Sequence, residues 1–323
     1  MNAYKIISDF GCDLPEHLLA QYEIEVIPTN LHIDGQDNIL SNEIDIDEFY
    51  QILREKKTVK TSAINMQTFY GVFEKAFRSG EDVLYIGMSK GLSGTFAAAV
   101  LAGEELAAVY PERTVRCIDT KSGSGGIALA VYLAALKREE GADLDETFTY
   151  MTDICSRLQS WFTVDDLFFL RRGGRLRTAT AVVGSLFMIK PILTVDEDGK
   201  LFAHSKARGR KGSIEALVRQ TEENAFNPAE STIFISHADA MQDAVNLEMM
   251  LRTKWDVKNI ITTDIGPAFG AHCGPGGLAV FFIGKDETEE EILEEIFTSS
   301  EEEAKNEFTA ELPEENKEET PEE

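Results

Sequence analysis

Short apolar runs alternate with stretches of helical periodicity through the first half of the chain. Residues 4–8, 24–31, 83–87 and 114–119 read as strands, the third as the continuous apolar run of a buried one. Residues 47–54, 67–78, about 93–110 and 126–139 read as helices. This alternation predicts a parallel sheet covered on both faces. In such sheets ligands bind beyond the carboxyl ends of the strands, so chemistry is expected in the segments that follow them.

The second half has a different pattern. A helical stretch over 144–159 leads to two segments, 192–196 and 200–204, flanking Asp198-Gly199, a strong hairpin signal. Strands over 232–236 and 257–262 enclose a helix near 240–253, and 277–283 reads as a last buried strand. Hairpins mixed with helices predict an α+β unit with a mixed or antiparallel sheet. The chain therefore reads as two domains: an N-terminal parallel-sheet α/β/α domain over 1–155 and a C-terminal α+β domain over 156–285. A tail follows over 286–323, with no internal repeat anywhere.

Charge changes the picture of that tail. The 323 residues carry a formal charge of −26, with 31 Lys+Arg against 57 Asp+Glu. From Asp286 onward there are 18 acidic and 2 basic residues, leaving the body only mildly acidic. The tail is expected to start helical and, beyond Ser299, to lack the apolar surface needed to order. A whole-chain balance this acidic argues against nucleic acid and anionic membranes as partners, because both repel a negative surface. The cysteines Cys12, Cys117, Cys155 and Cys273 are scattered, which predicts reduced thiols rather than a disulfide framework. The opening residues show no basic stretch before a long apolar run, and no run reaches membrane-span length, so a cytoplasmic protein is expected.

Four glycine- and hydroxyl-rich segments stand out. Thr61-Ser62 precedes a helix for which Asn65 is the better cap. Gly91-Leu92-Ser93-Gly94-Thr95 joins a strand to a helix, so Ser93 is either a plain cap or part of an anion site with the Gly94 and Thr95 amides. A nucleophile elbow would need glycine where Thr95 stands. Residues 120–128 satisfy the loose dinucleotide spacing through Gly123, Gly125 and Ala128. However, the acidic residues that follow, Asp143 and Asp145, precede a helix rather than ending a strand, and no phosphate loop is present. Residues 266–277 place five glycines and two prolines around His272, a loop shaped by its backbone. That histidine can bind an anion or be structural, and metal spacing is absent. Two basic clusters break the acidic background: Arg171, Arg172, Arg175 and Arg177, then Lys206, Arg208, Arg210 and Lys211. Each fits an anionic partner or a solvated surface.

Taken together, the segments resemble one family. Asp9 with Asp13-Leu14-Pro15, Thr61-Ser62, Gly91 to Thr95, Phe169-Leu170-Arg171-Arg172-Gly173-Gly174-Arg175, Gly184-Ser185, Ile189-Lys190-Pro191-Ile192-Leu193 and the 266–276 glycine segment are similar in order and spacing to the DegV family of bacterial fatty-acid-binding proteins. The family includes the FakB subunits of fatty acid kinase. The resemblance implies a two-domain fold with a long-chain fatty acid such as palmitate between the domains, its tail buried. It implies a carboxylate site at Thr61, Ser62, Ser93, Gly94, Thr95 and His272, with no cofactor and no catalysis by this chain. A separate ATP-dependent kinase would phosphorylate the carboxylate, and the acyl phosphate would pass to an acyltransferase of phospholipid synthesis. Arg171, Arg172, Arg175, Lys206 and Arg208 are expected to form the partner's docking face. The physics is compatible: an acyl chain of about 16 carbons gains about 0.8 kcal/mol per buried CH₂. Its carboxylate cannot enter an apolar pocket unpaired. The other readings are a Ser/His acyl hydrolase using Ser93 and His272, and a phosphotransfer protein like dihydroxyacetone kinase.

Overall fold

The apolar runs become strands of two main sheets, and the periodic stretches become the helices that cover them. The computed structural model describes residues 3–34, 36–176 and 188–286. Residues up to Gly284 form one compact unit, to which everything below refers.

The chain opens with β1 (Tyr4–Asp9), α1 (Glu16–Gln21), β2 (Glu25–Ile27), β3 (Asn30–Ile33), β4 (Gln36–Leu40), α2 (Ile46–Arg54) and β5 (Val59–Thr61). It continues through α3 (Met66–Arg78), β6 (Asp82–Gly87), α4 (Thr95–Val109), β7 (Val115–Asp119), α5 (Gly125–Glu139) and α6 (Leu144–Ser156). Then come β8 (Leu158–Thr163), α7 (Phe168–Arg172), β9 (Ile189–Val195), β10 (Leu201–Arg208) and α8 (Gly209–Asn224). The last elements are β11 (Thr232–His237), α9 (Met241–Trp255), β12 (Asn259–Asp264), α10 (Pro267–Cys273) and β13 (Leu278–Ile283).

The first sheet, ordered β2-β1-β6-β7, is parallel throughout. Its central strand β6 is buried at every position, as a strand covered on both faces must be. The second sheet, ordered β10-β9-β8-β13-β11-β12, is antiparallel except for the β11–β12 pair. The fold is thus α/β with a parallel N-terminal and a mixed C-terminal sheet, as the patterning predicts. The Asp198-Gly199 hairpin is present, with Gly199 at φ +73° in its turn.

Several local expectations are corrected. The strand read over 24–31 is two strands in two different sheets. Pro28 lacks the N–H that a continuing ladder needs, and β3 enters a third, antiparallel sheet, β4-β3-β5, that the patterning does not reveal. The helix read to 159 ends at Ser156, and Leu158 already opens β8, a strand hidden by its apolar-polar mixture. The 266–277 segment is not all loop: Pro267 at the first position starts α10, and Gly274 at φ +69° follows its last turn. Arg177, Gly184-Ser185 and the acidic tail beyond Asp286 lie outside the described residues.

Helix α5 is the buried centre on which both sheets pack. Ile127 to Val131, Ala134 and Ala135 are buried, so this helix is apolar all round. Its core spans Ile6, Leu84 and Ile86 of the first sheet and Phe234 and Phe281 of the second. Small residues let both sheets approach it, and the residues just before its first turn, Ser122 to Ser124, line the cavity described below.

Candidate functional site

Strand ends supply the site. Phe10 follows β1, Leu92 and Ser93 follow β6, and Ser122 to Ser124 follow β7; all line one cavity of about 960 Å³, part of it open to solvent. The opposite walls come from β8, β13 and α10, through Phe162, Phe281 and Phe269. Carboxyl ends of parallel strands are where such a fold places ligands.

Thr61, Ser62, Ser93 and His272 all line this cavity, from three distant parts of the sequence. Thr61 ends β5, and its Oγ1 lies 3.0 Å from His272 Nε2. Ser62 Oγ lies 2.8 Å from His32 Nε2 on β3. Ser93 precedes the helix cap: its Oγ accepts the Thr95 N–H at 3.2 Å and lies 3.0 Å from Thr95 Oγ1. Gly94 and Thr95 follow Ser93 without themselves being among the residues that line the cavity. Thr95 is fully buried, and its Oγ1 accepts the Ile64 N–H at 3.2 Å, holding the Thr61–Ile64 loop against α4. Asn65 caps α3, accepting the Thr68 N–H at 2.9 Å, so Thr61 and Ser62 are not needed as caps.

Arg175 also lines this cavity and is half-buried. Its Nε donates to the Leu92 carbonyl at 3.3 Å and its Nη1 to the Gly173 carbonyl, which fixes the cation beside Ser93. Gly173 itself packs on His272: a Cβ there would overlap Nδ1. Arg171 and Arg172 are exposed on α7, with the Arg172 guanidinium over the rings of Phe168 and Phe169. Lys206 and Arg208 are exposed on β10, the edge strand of the second sheet.

Burial, reinforced by the nearby Arg175 and then Arg172 charges, pushes the His272 pKa down to about 4, so the ring is neutral at pH 7. Its Nδ1 is buried against Gly173 with no partner. A proton there would be an unpaired buried donor, the costlier of the two choices. The favoured tautomer therefore carries its proton on Nε2 and donates it to Thr61 Oγ1. That leaves the Thr61 O–H free to donate into the cavity. The cluster can thus offer hydroxyl donors and one fixed cation to an anionic head group, beside predominantly apolar walls.

Two buried carboxyls brace these strand ends. Asp9 accepts the Tyr85 O–H at 2.5 Å, the Met88 N–H at 3.0 Å and the Gly11 N–H at 2.9 Å, tying β1 to the segment that carries Ser93. Asp13 accepts from Ser124 Oγ and from the Gly266 N–H at the start of α10. Sequence reasoning overlooked Arg175 as a wall and the four phenylalanines; Phe10 directly after the first strand was a signal for one of them. All four cysteines are free, with thiols pushed up to about 12, chiefly by burial. Among the described residues no cluster of metal-ligating side chains occurs, and no helix is long and apolar enough to cross a membrane.

Fold and site define an α/β protein with a largely apolar cavity that carries a localised polar cluster. The family model for "uncharacterised protein, DegV family" matches residues 3–285, and the chain belongs to the DegV family. A DegV domain-containing protein of Clostridium perfringens is 37% identical over 286 residues, covering 88% of this chain and 98% of that one. The crystal structure of a DegV lipid-binding protein from Thermotoga maritima superposes with a TM-score of 0.78 at 28% identity, over 88% of this chain and 99% of that one. A fatty-acid-binding DegV family protein from Thermus thermophilus superposes with a TM-score of 0.80 at 27% identity, over 88% and 100%.

Proposed function

We propose that this protein binds a long-chain fatty acid such as palmitate, with the carboxylate at Thr61, Ser62, Ser93, Arg175 and His272 and the acyl tail along Phe162, Phe269 and Phe281. It acts as a cytoplasmic carrier without catalysis of its own. A separate ATP-dependent kinase phosphorylates the bound carboxylate, and the acyl phosphate passes to an acyltransferase for phospholipid synthesis. Arg171, Arg172, Lys206 and Arg208 form the docking face.

The observation that carries this reading is one cavity joining hydroxyl donors and a fixed cation to apolar walls. Burying most of a 16-carbon chain supplies on the order of 10 kcal/mol, enough to drive binding. Hydroxyls and Arg175 offset the desolvation of the head group. The lipid and fatty acid ligands of the Thermotoga and Thermus relatives support the same class. A hydrolase is disfavoured, because His272 Nε2 faces Thr61 and no carboxylate orients Nδ1.

Mass spectrometry of the purified protein, native and then denatured, tests the reading. A mass excess under native conditions that resolves on denaturation into a C14–C18 fatty acid is expected. A protein that carries no lipid and takes none up from a fatty acid mixture would overturn it.

A further inference from the structure

Ser89 is fully buried between β6 and α4 and is not among the residues that line the cavity. Each of its polar groups is committed to protein backbone. Its N–H donates to the Ser122 carbonyl at 2.9 Å, and its carbonyl accepts the Leu92 and Ser93 N–H groups at 3.0 and 3.3 Å. Its Oγ accepts the Gly91 N–H at 3.0 Å and donates to the Gly199 carbonyl at 2.8 Å. Ser89 therefore folds the turn that carries Ser93 and ties it to the tip of the β9–β10 hairpin, 110 residues away in sequence. The approach at that tip is close from both sides. A Cβ on Gly91 would stand 2.5 Å from the Asp198 carbonyl oxygen, and one on Gly199 would overlap Ser89 Oγ. The tip itself is held by Asp196, whose carboxylate accepts the Asp198 and Lys200 N–H groups at 3.0 and 2.9 Å.

From the tip the contacts return to the same turn. Leu201, just beyond Gly199, lines the cavity and bridges Leu176, the residue after Arg175. Arg175 Nε donates to the Leu92 carbonyl, beside Ser93. The path from Ser89 through the hairpin to Arg175 and back is closed, and two head-group candidates, Ser93 and Arg175, stand on it. We infer that Ser89 is a positioning residue for the head group: through the hairpin tip it fixes the Ser93 hydroxyl relative to the Arg175 guanidinium. A buried hydroxyl bonded to the backbone of two distant segments holds them in one arrangement. Without it, the Gly91 N–H and the Gly199 carbonyl lose their shared partner, and the turn can shift against the hairpin. A carboxylate feels that shift, because its charge-assisted bonds need donors at set positions. The apolar walls, which bind without direction, do not.

This inference rests on the fatty acid reading, and the experiment separates the two. Delipidated full-length wild type, Ser89→Ala and Gly91→Ala are titrated with palmitate and with hexadecanol, which keeps the tail and lacks the charge. Gly91→Ala pushes the turn off the hairpin tip without removing a hydroxyl. Its backbone is outside the left-handed region, so the added methyl meets only the tip. Each variant should bind palmitate about tenfold more weakly, and hexadecanol no more than about twofold more weakly. A folded variant of either kind that loses palmitate and hexadecanol affinity equally, or that binds palmitate as wild type does, overturns the positioning role and leaves the fatty acid reading standing. A wild type that does not bind palmitate overturns that reading and this inference with it.

Discussion

Two side chains at the site respond to pH in opposite directions. Burial, then Arg175 and Arg172, holds His272 at about 4 in the folded protein, below the ordinary 6.5. Between those values the unfolded chain carries a proton that the folded one lacks, so this group's contribution to stability falls as pH drops from 6.5 to 4. Asp13 behaves the other way. Burial raises it from 3.8 to about 7, against hydrogen bonds from Ser124 and Gly266 and helped by the Asp264 and Asp9 charges. The folded state then holds a proton that the unfolded chain has lost, and stability falls as pH rises through 3.8 to 7. Asn at this position imitates the protonated form. The melting temperature of Asp13→Asn, taken relative to wild type, should therefore climb between pH 5 and pH 8. A constant difference across that range would show that Asp13 is ionised in the fold at both ends.

Elements differ in how much of them was legible from sequence. The central strand β6 and the Asp198-Gly199 hairpin were readable because continuous apolarity and turn chemistry are local properties. Helix α3 was readable from Phe69, Phe73, Ala76 and Phe77 on one face and Asn65 at its start. The third sheet was not, because its strands are short and their pairing depends on contacts that cross Pro28 and α2. Helix α10 was hidden by the five glycines and two prolines in and around it, though its seven residues carry both Phe269 and His272. The carboxylate candidates Thr61, Ser93 and His272 were legible as motifs, and the fold brings them to one cavity. What sequence could not give was the division within each motif: Ser93 faces the cavity while Thr95 turns inward to Ile64, and Arg175 faces it while Arg171 and Arg172 do not. Side-chain direction at a loop-helix junction is set by tertiary contacts, not by spacing.

On the scale of the whole molecule, the basic side chains matter because the protein around them is acidic. Arg171 and Arg172 on α7, and Lys206 and Arg208 on β10, are exposed cations on a chain of net −26. If they dock the kinase, Arg172→Glu should lower acyl phosphate formation at least tenfold while the purified variant keeps its lipid. Loss of lipid in that variant would place Arg172 in the ligand site instead. The central claim, however, is that one cavity binds an acyl chain by its tail and its carboxylate by hydroxyls at Thr61 and Ser93. Calorimetric titration of delipidated wild type and a Thr61→Ala, Ser93→Ala double variant with palmitate tests it most directly. Each hydrogen bond to a charged group contributes about 1.5–3 kcal/mol, so the double variant should bind at least a hundredfold more weakly while its melting temperature shows it folded. Unchanged palmitate affinity in the folded double variant would contradict the account.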